Sequence, residues 1–191
     1  WKQHTEILTE IFLTRTREIG QALLDRINKS SSIQLLVPAN AQSVEITDNA
    51  MVVSCDGLQD PKPASLLVLA DGGRSPLASK IGVTKHEKLY KERVLVTVVE
   101  TDLRHNGMAF ERFTVHGPIA LLPMGESSFS LAWTMPRKEA ERYLELSETE
   151  FLDRLQREFG YRAGLFQGTR KRRVYPLRQT SVSPPSIQRT V

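Results

Sequence analysis

Apolar residues in the N-terminal part of the chain follow a helical spacing. The repeat extends over Arg17–Asn28 and predicts an amphipathic helix with Thr16 as its N-cap. Upstream, Glu10–Thr14 either extends this helix or forms a short strand. The apolar stripe breaks at residues 14–16, which favours the strand.

Short apolar runs bounded by turn residues follow the helix and predict strands. Two of these runs flank Thr47–Asn49, a pattern typical of a β-hairpin. The last run is entirely apolar, as in a strand buried on both faces, and it ends at Asp71-Gly72-Gly73. A loop is predicted at Asp60–Pro63 and a short helix at Ser75–Ile81. The predicted strands are Ile33–Val37, Ser43–Ile46, Ala50–Cys55 and Leu66–Ala70.

From about residue 82 the pattern changes to that of an antiparallel meander. Strand-like runs are separated by turn residues at Asn106-Gly107, Gly117-Pro118 and Gly125-Glu126. A sheet built from consecutive strands is therefore expected. Its predicted strands are Val94–Glu100, Ala109–Val115, Ile119–Pro123 and Phe129–Trp133.

Two helices are predicted after the meander, at residues 137–145 and 148–159. Ser147 and Glu150 have the spacing of a capping box at the start of the second helix, and Gly160 is expected to end it. The segment Ser181–Ile187 is rich in serine and proline and is predicted to be extended.

Composition narrows the classes of function. The chain has 191 residues, of which 40% are apolar and 25% charged, which is typical of a folded protein. A net charge of +4 is too small to indicate nucleic-acid binding, and the apolar runs are too short to cross a membrane. Because there is one cysteine, Cys55, no internal disulfide is possible, and a reducing, cytoplasmic location is expected.

Sequence motifs for common catalytic and metal sites are absent. The four histidines are scattered, with no pair at helical spacing and none near Cys55, so no metal site is expected. The chain has no P-loop, no Gly-x-Ser-x-Gly motif and no Gly-x-Gly-x-x-Gly fingerprint. The basic run Arg170–Arg173 either contacts phosphate or lies on a solvated strand edge. The lack of interleaved aromatic residues favours the strand edge.

The segment Leu66–Ser75 holds the most informative pattern. An apolar strand leads to Asp71 and then to two glycines, and ligands of open α/β sheets bind where strands end. Gly72 and Gly73 allow positive φ and a close approach of the backbone. A plain tight turn remains the alternative, since Asp-Gly turns are common.

Several motifs together resemble the FAD-dependent aromatic hydroxylases. Ala-Asp-Gly-x-x-Ser at Ala70–Ser75 resembles the Asp-Gly motif of that family. Phe110–Thr114 and Gly117–Met124 resemble its ubiquinone-biosynthesis branch, and so do Phe159–Tyr161 and Arg173–Leu177. The resemblance extends from about residue 17 to residue 178. One departure is Ala78, which stands where the family usually has an arginine.

The resemblance implies an α+β fold: a substrate domain with an antiparallel sheet and helices, plus an incomplete piece of a Rossmann-like FAD domain. Residues 1–82 would belong to the FAD-binding domain and 83–176 to the substrate-binding domain, and 177–191 would return toward the FAD domain. The family's Gly-x-Gly-x-x-Gly and Gly-Asp motifs are not in this chain. We therefore expect an internal fragment that is inactive by itself and does not retain FAD.

The resemblance also implies a reaction and its ligands. The parent protein is expected to be a monooxygenase that uses FAD, NAD(P)H and O₂ to hydroxylate a polyprenylated phenol. Other ubiquinone-biosynthesis proteins are expected partners, with no nucleic acid and at most peripheral contact with the inner membrane. The alternative is a non-catalytic binding or scaffold module with a degenerate flavoprotein fold.

Site residues follow from the same resemblance, and no catalytic acid or base is required. The expected FAD-binding residues are Asp71, Gly72, Gly73 and Ser75. Substrate contacts are expected from a second group, for which core packing or a surface ion pair is the alternative. Its members are Phe110, Arg112, Met124 and Trp133.

Overall fold

The structure, a computed structural model, describes residues 16–57, 60–73, 76–187 and 189–191. It combines antiparallel sheets with helices, which confirms the predicted α+β class. The helices are α1 (Thr16–Asn28), α2 (Leu77–Lys80), α3 (Arg137–Glu145) and α4 (Glu148–Phe159). The strands are β1 (Ala41–Ile46), β2 (Met51–Cys55), β3 (Lys62–Ala64), β4 (Thr84–Thr101), β5 (Phe110–Thr114), β6 (Gly117–Met124), β7 (Ser128–Pro136), β8 (Phe166–Thr169) and β9 (Arg173–Ser183).

The chain divides into two compact units. Among the described residues, the first contains residues 16–26 and 91–177, and the second contains those of 27–90 and 178–191. The domain limits expected from the sequence, 1–82, 83–176 and 177–191, stay predictions, as does their assignment to cofactor and substrate.

Most of a six-stranded sheet lies in the first unit, whereas residues 84–90 of β4 and 178–183 of β9 belong to the second. Its strands follow the order β5-β6-β7-β4-β8, and β9 also pairs with β4. The four predicted strands are present, and β5, β6 and β7 pair in chain order. The predicted meander is wrong for β4, which pairs with β7 and not with the next strand along the chain, β5. Gly117 and Pro118 were predicted to form a turn, but they lie inside β6, and the turn falls at Val115-His116.

The position of Gly117 explains this difference. Its φ is +134°, and a Cβ there would lie 2.4 Å from the backbone oxygen of Thr134 on the neighbouring strand. Glycine is therefore required by the close approach of β6 to β7 and not by a reversal of the chain.

One face of this sheet packs against α3 and α4. Alternate residues of β7 are fully buried, and aromatic rings of the helices meet them edge to face. The Trp133 ring, for example, lies 5.0 Å from the ring of Tyr143. This burial explains why β7 and both helices form where the alternating and helical patterns predict them. The buried β7 residues are Phe129, Leu131, Trp133 and Met135.

The intervening residues face the other side of the sheet and are only half-buried. Strand pairing places Met124 opposite Ser128, and Val96 opposite Ala132. Antiparallel partners project from the same face of a sheet, so these residues share a face. This surface, which we call the second face, carries Val94, Val96, Val98, Ala120, Leu122, Met124, Ser130 and Ala132.

Local signals for the helices are confirmed. Ser147 accepts from the Glu150 amide while the Glu150 carboxylate accepts from the Ser147 amide, which completes the capping box. Helix α4 ends at Gly160, whose φ is +83°. Helix α1 matches the prediction over Arg17–Asn28, but it includes Thr16, which was expected as the N-cap.

The second unit contains a three-stranded sheet in the order β1-β2-β3. The predicted hairpin is confirmed, and the Thr47 hydroxyl donates to the carbonyl oxygen of Ala50 across its turn at 2.8 Å. Residues 62–64 form β3, although a loop was predicted at Asp60–Pro63. Helix α2 is confirmed at Leu77–Lys80, within the predicted range.

Two apolar runs do not form the strands predicted for them. Ile33–Val37 is irregular, and Val37 is 76% exposed. Leu66–Ala70 was predicted to be buried on both faces, yet Leu66 and Val68 are more than half exposed. The predicted strand at Glu10–Thr14 lies outside the described residues.

Candidate functional site

The turn Asp71–Gly73 has the positive φ values that its glycines predict. Gly72 and Gly73 have φ values of +66° and +68°, and the Gly73 amide donates to the Asp71 carboxylate at 2.8 Å. A Cβ on Gly72 would meet no atom of the described residues within 4 Å, so these residues leave the space beside the backbone open at this point. The turn can thus admit a ligand against its main chain, whereas a side chain there would fill that space.

A parallel pairing supports the segment that leads into the turn. The Leu67 amide donates to the Arg189 carbonyl at 2.9 Å, and the Val191 amide donates to the Leu67 carbonyl at 3.0 Å. The Leu69 amide then donates to the Val191 carbonyl at 2.9 Å. The turn therefore follows the carboxyl end of a segment paired in parallel, which is the usual location of ligands in open α/β sheets.

Two cavities lie beside the turn. The larger, of about 360 Å³, is lined by Gly73, by residues around α2 and by Lys85 of β4. The smaller, of about 100 Å³, touches Asp71 and Gly73 and reaches Thr190. The Thr190 hydroxyl is buried and has no hydrogen-bond partner among the described residues. An unsatisfied buried hydroxyl is costly, so this end of the cavity offers an unused donor and acceptor.

These features fit part of an FAD site. Asp71 can accept hydrogen bonds from hydroxyl groups, and the space in front of Gly72 allows a flat ligand to approach the backbone. Gly73 is covered by the stem of Lys85, whose Cε would lie 3.4 Å from a Cβ at that position. Ser75, the fourth expected FAD-binding residue, lies outside the described residues.

Phe110 and Arg112 lie on the helix-covered face of the edge strand β5. The Phe110 ring packs edge to face on Phe129 and Phe159, at centroid distances of 5.8 and 6.0 Å. Arg112 donates from Nη1 to the Phe159 carbonyl at the end of α4, at 2.5 Å. The other nitrogens of Arg112 have no partner among the described residues.

The sheet separates the remaining two expected substrate residues. Trp133 is 2% exposed and lies in the core beneath the helices, where its Nε1 has no partner among the described residues. Met124 projects from the second face and is half-buried. Strand pairing places Arg112 in the row of Ile119 and Trp133, so Met124 is the single member of the set on the second face. Substrate contact by these residues stays a prediction.

The basic run is not a uniform solvated edge. Arg170 and Lys171 are exposed, and Arg170 lies 4.0 Å from Glu100. Arg172 is half-buried, with its guanidinium 4.9 Å from the Phe151 ring and a hydrogen bond to the Leu146 carbonyl. Sequence reasoning did not find this packing role, because charge alone carries no signal of an aromatic partner distant in the chain.

Lys85 is a second residue that the sequence did not indicate. Its ammonium donates to the Gly73 carbonyl at 2.8 Å and forms an ion pair with Glu87 at 2.5 Å. The hydrogen bond from Lys85 is the main cause that lowers the pKa of Glu87, with smaller charge effects from Lys85 and Arg178. No motif connects Lys85 to the glycine turn in the sequence.

The described part of the chain has neither a metal-binding cluster nor a membrane-spanning helix. It has no cluster of three or more histidine, cysteine or acidic residues suited to hold a metal ion. Within the same residues, no helix is long and apolar enough to cross a membrane.

Comparison with solved structures identifies the fold. PqsL from Pseudomonas aeruginosa superposes with a TM-score of 0.75 at 16% identity, over 90% of this chain and 50% of that one. The p-nitrophenol 4-monooxygenase PnpA from Pseudomonas putida superposes with a TM-score of 0.63 at 14% identity, over 92% of this chain and 45% of that one. At these identities the likeness establishes the fold alone.

Sequence relatives are more similar but longer. Ubiquinone hydroxylase UbiL from Rhodospirillum rubrum is 31% identical over 80% of this chain and 35% of its own length. The Synechocystis protein slr1300 is 30% identical over 83% of this chain and 39% of its own length. The ubiquinone biosynthesis monooxygenase COQ6 of Danio rerio is 32% identical over 49% of this chain and 20% of its own length. The chain thus spans about two fifths or less of these relatives.

The family profile covers most of the chain. The profile described as FAD binding domain matches residues 21–187, which include the glycine turn and the six-stranded sheet. The match agrees with the resemblance to FAD-dependent hydroxylases that the motifs indicate and with the space in front of Gly72. The chain belongs to the FAD binding domain family.

Proposed function

We propose that this chain is part of an FAD-dependent monooxygenase that hydroxylates a polyprenylated phenol in ubiquinone biosynthesis. The observation that carries the proposal is the Asp71–Gly73 turn, with its positive φ values and the open space in front of Gly72. Relatives named as ubiquinone hydroxylase and ubiquinone biosynthesis monooxygenase support the substrate class. When bound, FAD would supply the activation of O₂, with NAD(P)H as the source of electrons.

In this proposal the glycine turn holds part of the cofactor. Asp71 accepts hydrogen bonds from FAD, and Gly72 lets the ligand approach the main chain. Gly73, which Lys85 covers, and Ser75 are proposed as further FAD-binding residues. Because the chain lacks the glycine-rich turn that normally binds the pyrophosphate, we propose that by itself it neither retains FAD tightly nor turns over.

The sheet would shape the substrate pocket. We assign Met124 on the second face to the prenyl chain, because it is apolar and half-buried. Arg112 lies on the opposite, helix-covered face, so a pocket on the second face does not hold both contacts. Its nitrogens beyond Nη1 stay a separate candidate for a phenolic oxygen, since only Nη1 is bound to Phe159. Phe110 and Trp133 would support the pocket wall from the core side. An apolar wall also excludes water from the reacting groups.

Gly72→Val in the full-length gene product tests the cofactor assignment. Valine resists positive φ and would fill the open space, so we expect loss of bound FAD. Gly57→Val is the matched control, because Gly57 has a φ of +79° in a different turn of the chain, and a Cβ there would also meet no described atom within 4 Å. Both variants should lose similar stability, and Gly72→Val alone should lose flavin absorbance. Equal flavin content in the two variants would remove the turn from the FAD site.

Complementation tests the reaction. The wild-type full-length gene should restore quinone in a strain that lacks its ubiquinone hydroxylase, and Gly72→Val should not. Failure of the wild type, with no flavin in the purified protein, would favour the alternative of a non-catalytic scaffold module. We also propose a cytoplasmic location, with peripheral contact at the inner membrane and with other ubiquinone-biosynthesis proteins. Fractionation of the same strain tests this location.

A further inference from the structure

Lys85 connects strand β4 to the glycine turn. Its Nζ donates to the carbonyl oxygen of Gly73 at 2.8 Å, across 12 residues of sequence. The same ammonium lies 2.5 Å from the Glu87 carboxylate, which in turn lies 3.7 Å from Arg178. The Lys85 side chain is about one third exposed, so its ammonium is held by named partners at the rim of the larger cavity.

The contact matters because two consecutive glycines are otherwise the least restrained part of a chain. The Gly73 amide is bound to Asp71 and the Gly73 carbonyl to Lys85, so both polar groups of this residue are fixed. The aliphatic stem of Lys85 also covers Gly73, whereas no atom of the described residues covers the side of Gly72. The lysine therefore closes one side of the turn and leaves the other for a ligand.

We propose that Lys85 is a positioning residue that holds the Asp71–Gly73 turn in its ligand-binding conformation. The inference rests on the proposed function, because it takes this turn as the FAD contact. Glu87 orients the lysine, and the lysine acts on the cofactor through the turn and not by direct contact. A surface pair of Lys85 with Glu87 alone would contribute little, so the bond to Gly73 carries the effect.

The test uses Lys85→Met in the full-length gene product, with two readouts. Hydrogen exchange at the Gly72 and Gly73 amides of the flavin-free protein should become faster, because the turn loses one of its two anchors. The dissociation constant for FAD, from flavin fluorescence, should rise about tenfold, the effect of losing one charge-assisted hydrogen bond. The melting temperature should change little, since the side chain is partly exposed.

Two further variants separate positioning from general damage. Lys85→Arg keeps a cationic donor and should restore most of the FAD affinity. Lys88→Met is the matched control, because Lys88 lies on the same strand with its ammonium 5.0 Å from the Tyr90 ring and away from the turn. If Lys85→Met does not fold, Glu87→Gln should show the same changes at smaller size, because it frees the lysine.

The outcomes distinguish this inference from the proposed function. Unchanged exchange at the turn in Lys85→Met, or in Glu87→Gln where Lys85→Met does not fold, overturns the inference whether or not FAD binds. Wild-type protein that fails to bind FAD overturns the proposed function, while faster exchange in the variant would still show that Lys85 holds the turn. Faster amide exchange in Lys85→Met with an unchanged FAD affinity would overturn the claim that Lys85 acts on FAD binding through the turn.

Discussion

Arg112 has two roles that one set of variants can separate. Its Nη1 donates to the Phe159 carbonyl, one of the last four carbonyls of α4, which have no partner within the helix. A cation at this end also interacts favourably with the helix dipole. The same guanidinium is proposed to contact the phenolic oxygen of the substrate. Arg112→Ala removes both interactions, and Arg112→Lys keeps the charge without the planar fork.

The expected loss of stability follows from these contacts. A hydrogen bond to a charged group and the charge at the helix end together contribute about 1–2 kcal/mol when the side chain is partly exposed. Urea unfolding of the full-length gene product should show this loss for Arg112→Ala and a smaller loss for Arg112→Lys. Arg104→Ala is the control, because its ion pair with Glu126 is about three quarters exposed and should contribute under about 0.5 kcal/mol.

The Michaelis constant for the phenol separates the roles. If Arg112 contacts the substrate, Arg112→Ala should raise the Michaelis constant while FAD stays bound. The loss of folding stability alone would not raise it. A stability equal to that of Arg104→Ala would refute the contribution of the bond to Phe159. An unchanged Michaelis constant in a destabilised Arg112→Ala would refute the substrate contact and leave a structural role alone.

Two more predictions concern the helix cap and the two faces of the sheet. The Ser147 hydroxyl and amide lower the pKa of Glu150, so its charge stabilises the fold above the usual pKa of a glutamate, and this contribution is lost as the pH falls through the lowered pKa. The difference in unfolding free energy between wild type and Glu150→Gln should therefore shrink as the pH falls through that range, and a constant difference would contradict it. Trp133→Phe should lower the unfolding free energy by about 1–3 kcal/mol and leave the Michaelis constant unchanged. Met124→Ala should change the unfolding free energy little and raise the Michaelis constant, most of all for substrates with long prenyl chains. Similar changes in both quantities for the two variants would argue against the separation by the sheet.

Features with local signals could be predicted from the sequence. Ser147, Glu150 and Gly160 lie within one helix and its ends, so their spacing alone identifies the cap and the stop. The strands of the six-stranded sheet were accessible where an apolar run is bounded by turn residues, but the pairing of β4 with β7 joins residues distant in the chain and was not predicted. Asp71 and the glycines after it predict a turn for the same reason, and its geometry agrees.

Features that depend on distant partners could not be predicted in the same way. An apolar run such as Leu66–Ala70 indicates burial, but burial needs neighbours, and among the described residues its backbone partners are at Arg189 and Val191. Leu66 and Val68 consequently remain exposed. Lys85 reaches Gly73 from another element, so no spacing in the sequence connects them.

The candidate substrate residues show where alternation stops being informative. Within β5 it correctly places Phe110 and Arg112 on one face, because both lie on one strand. Between strands, pairing decides which residues share a face. The register of β6 with β7 places Met124 and Trp133 on opposite faces of the sheet. The helix-covered face has its aromatic rings in contact with each other, which makes it a rigid support. A substrate with a long apolar chain needs a surface that is apolar and accessible. That combination belongs to the second face, so Met124 is the residue where the proposed function is most directly exposed to test.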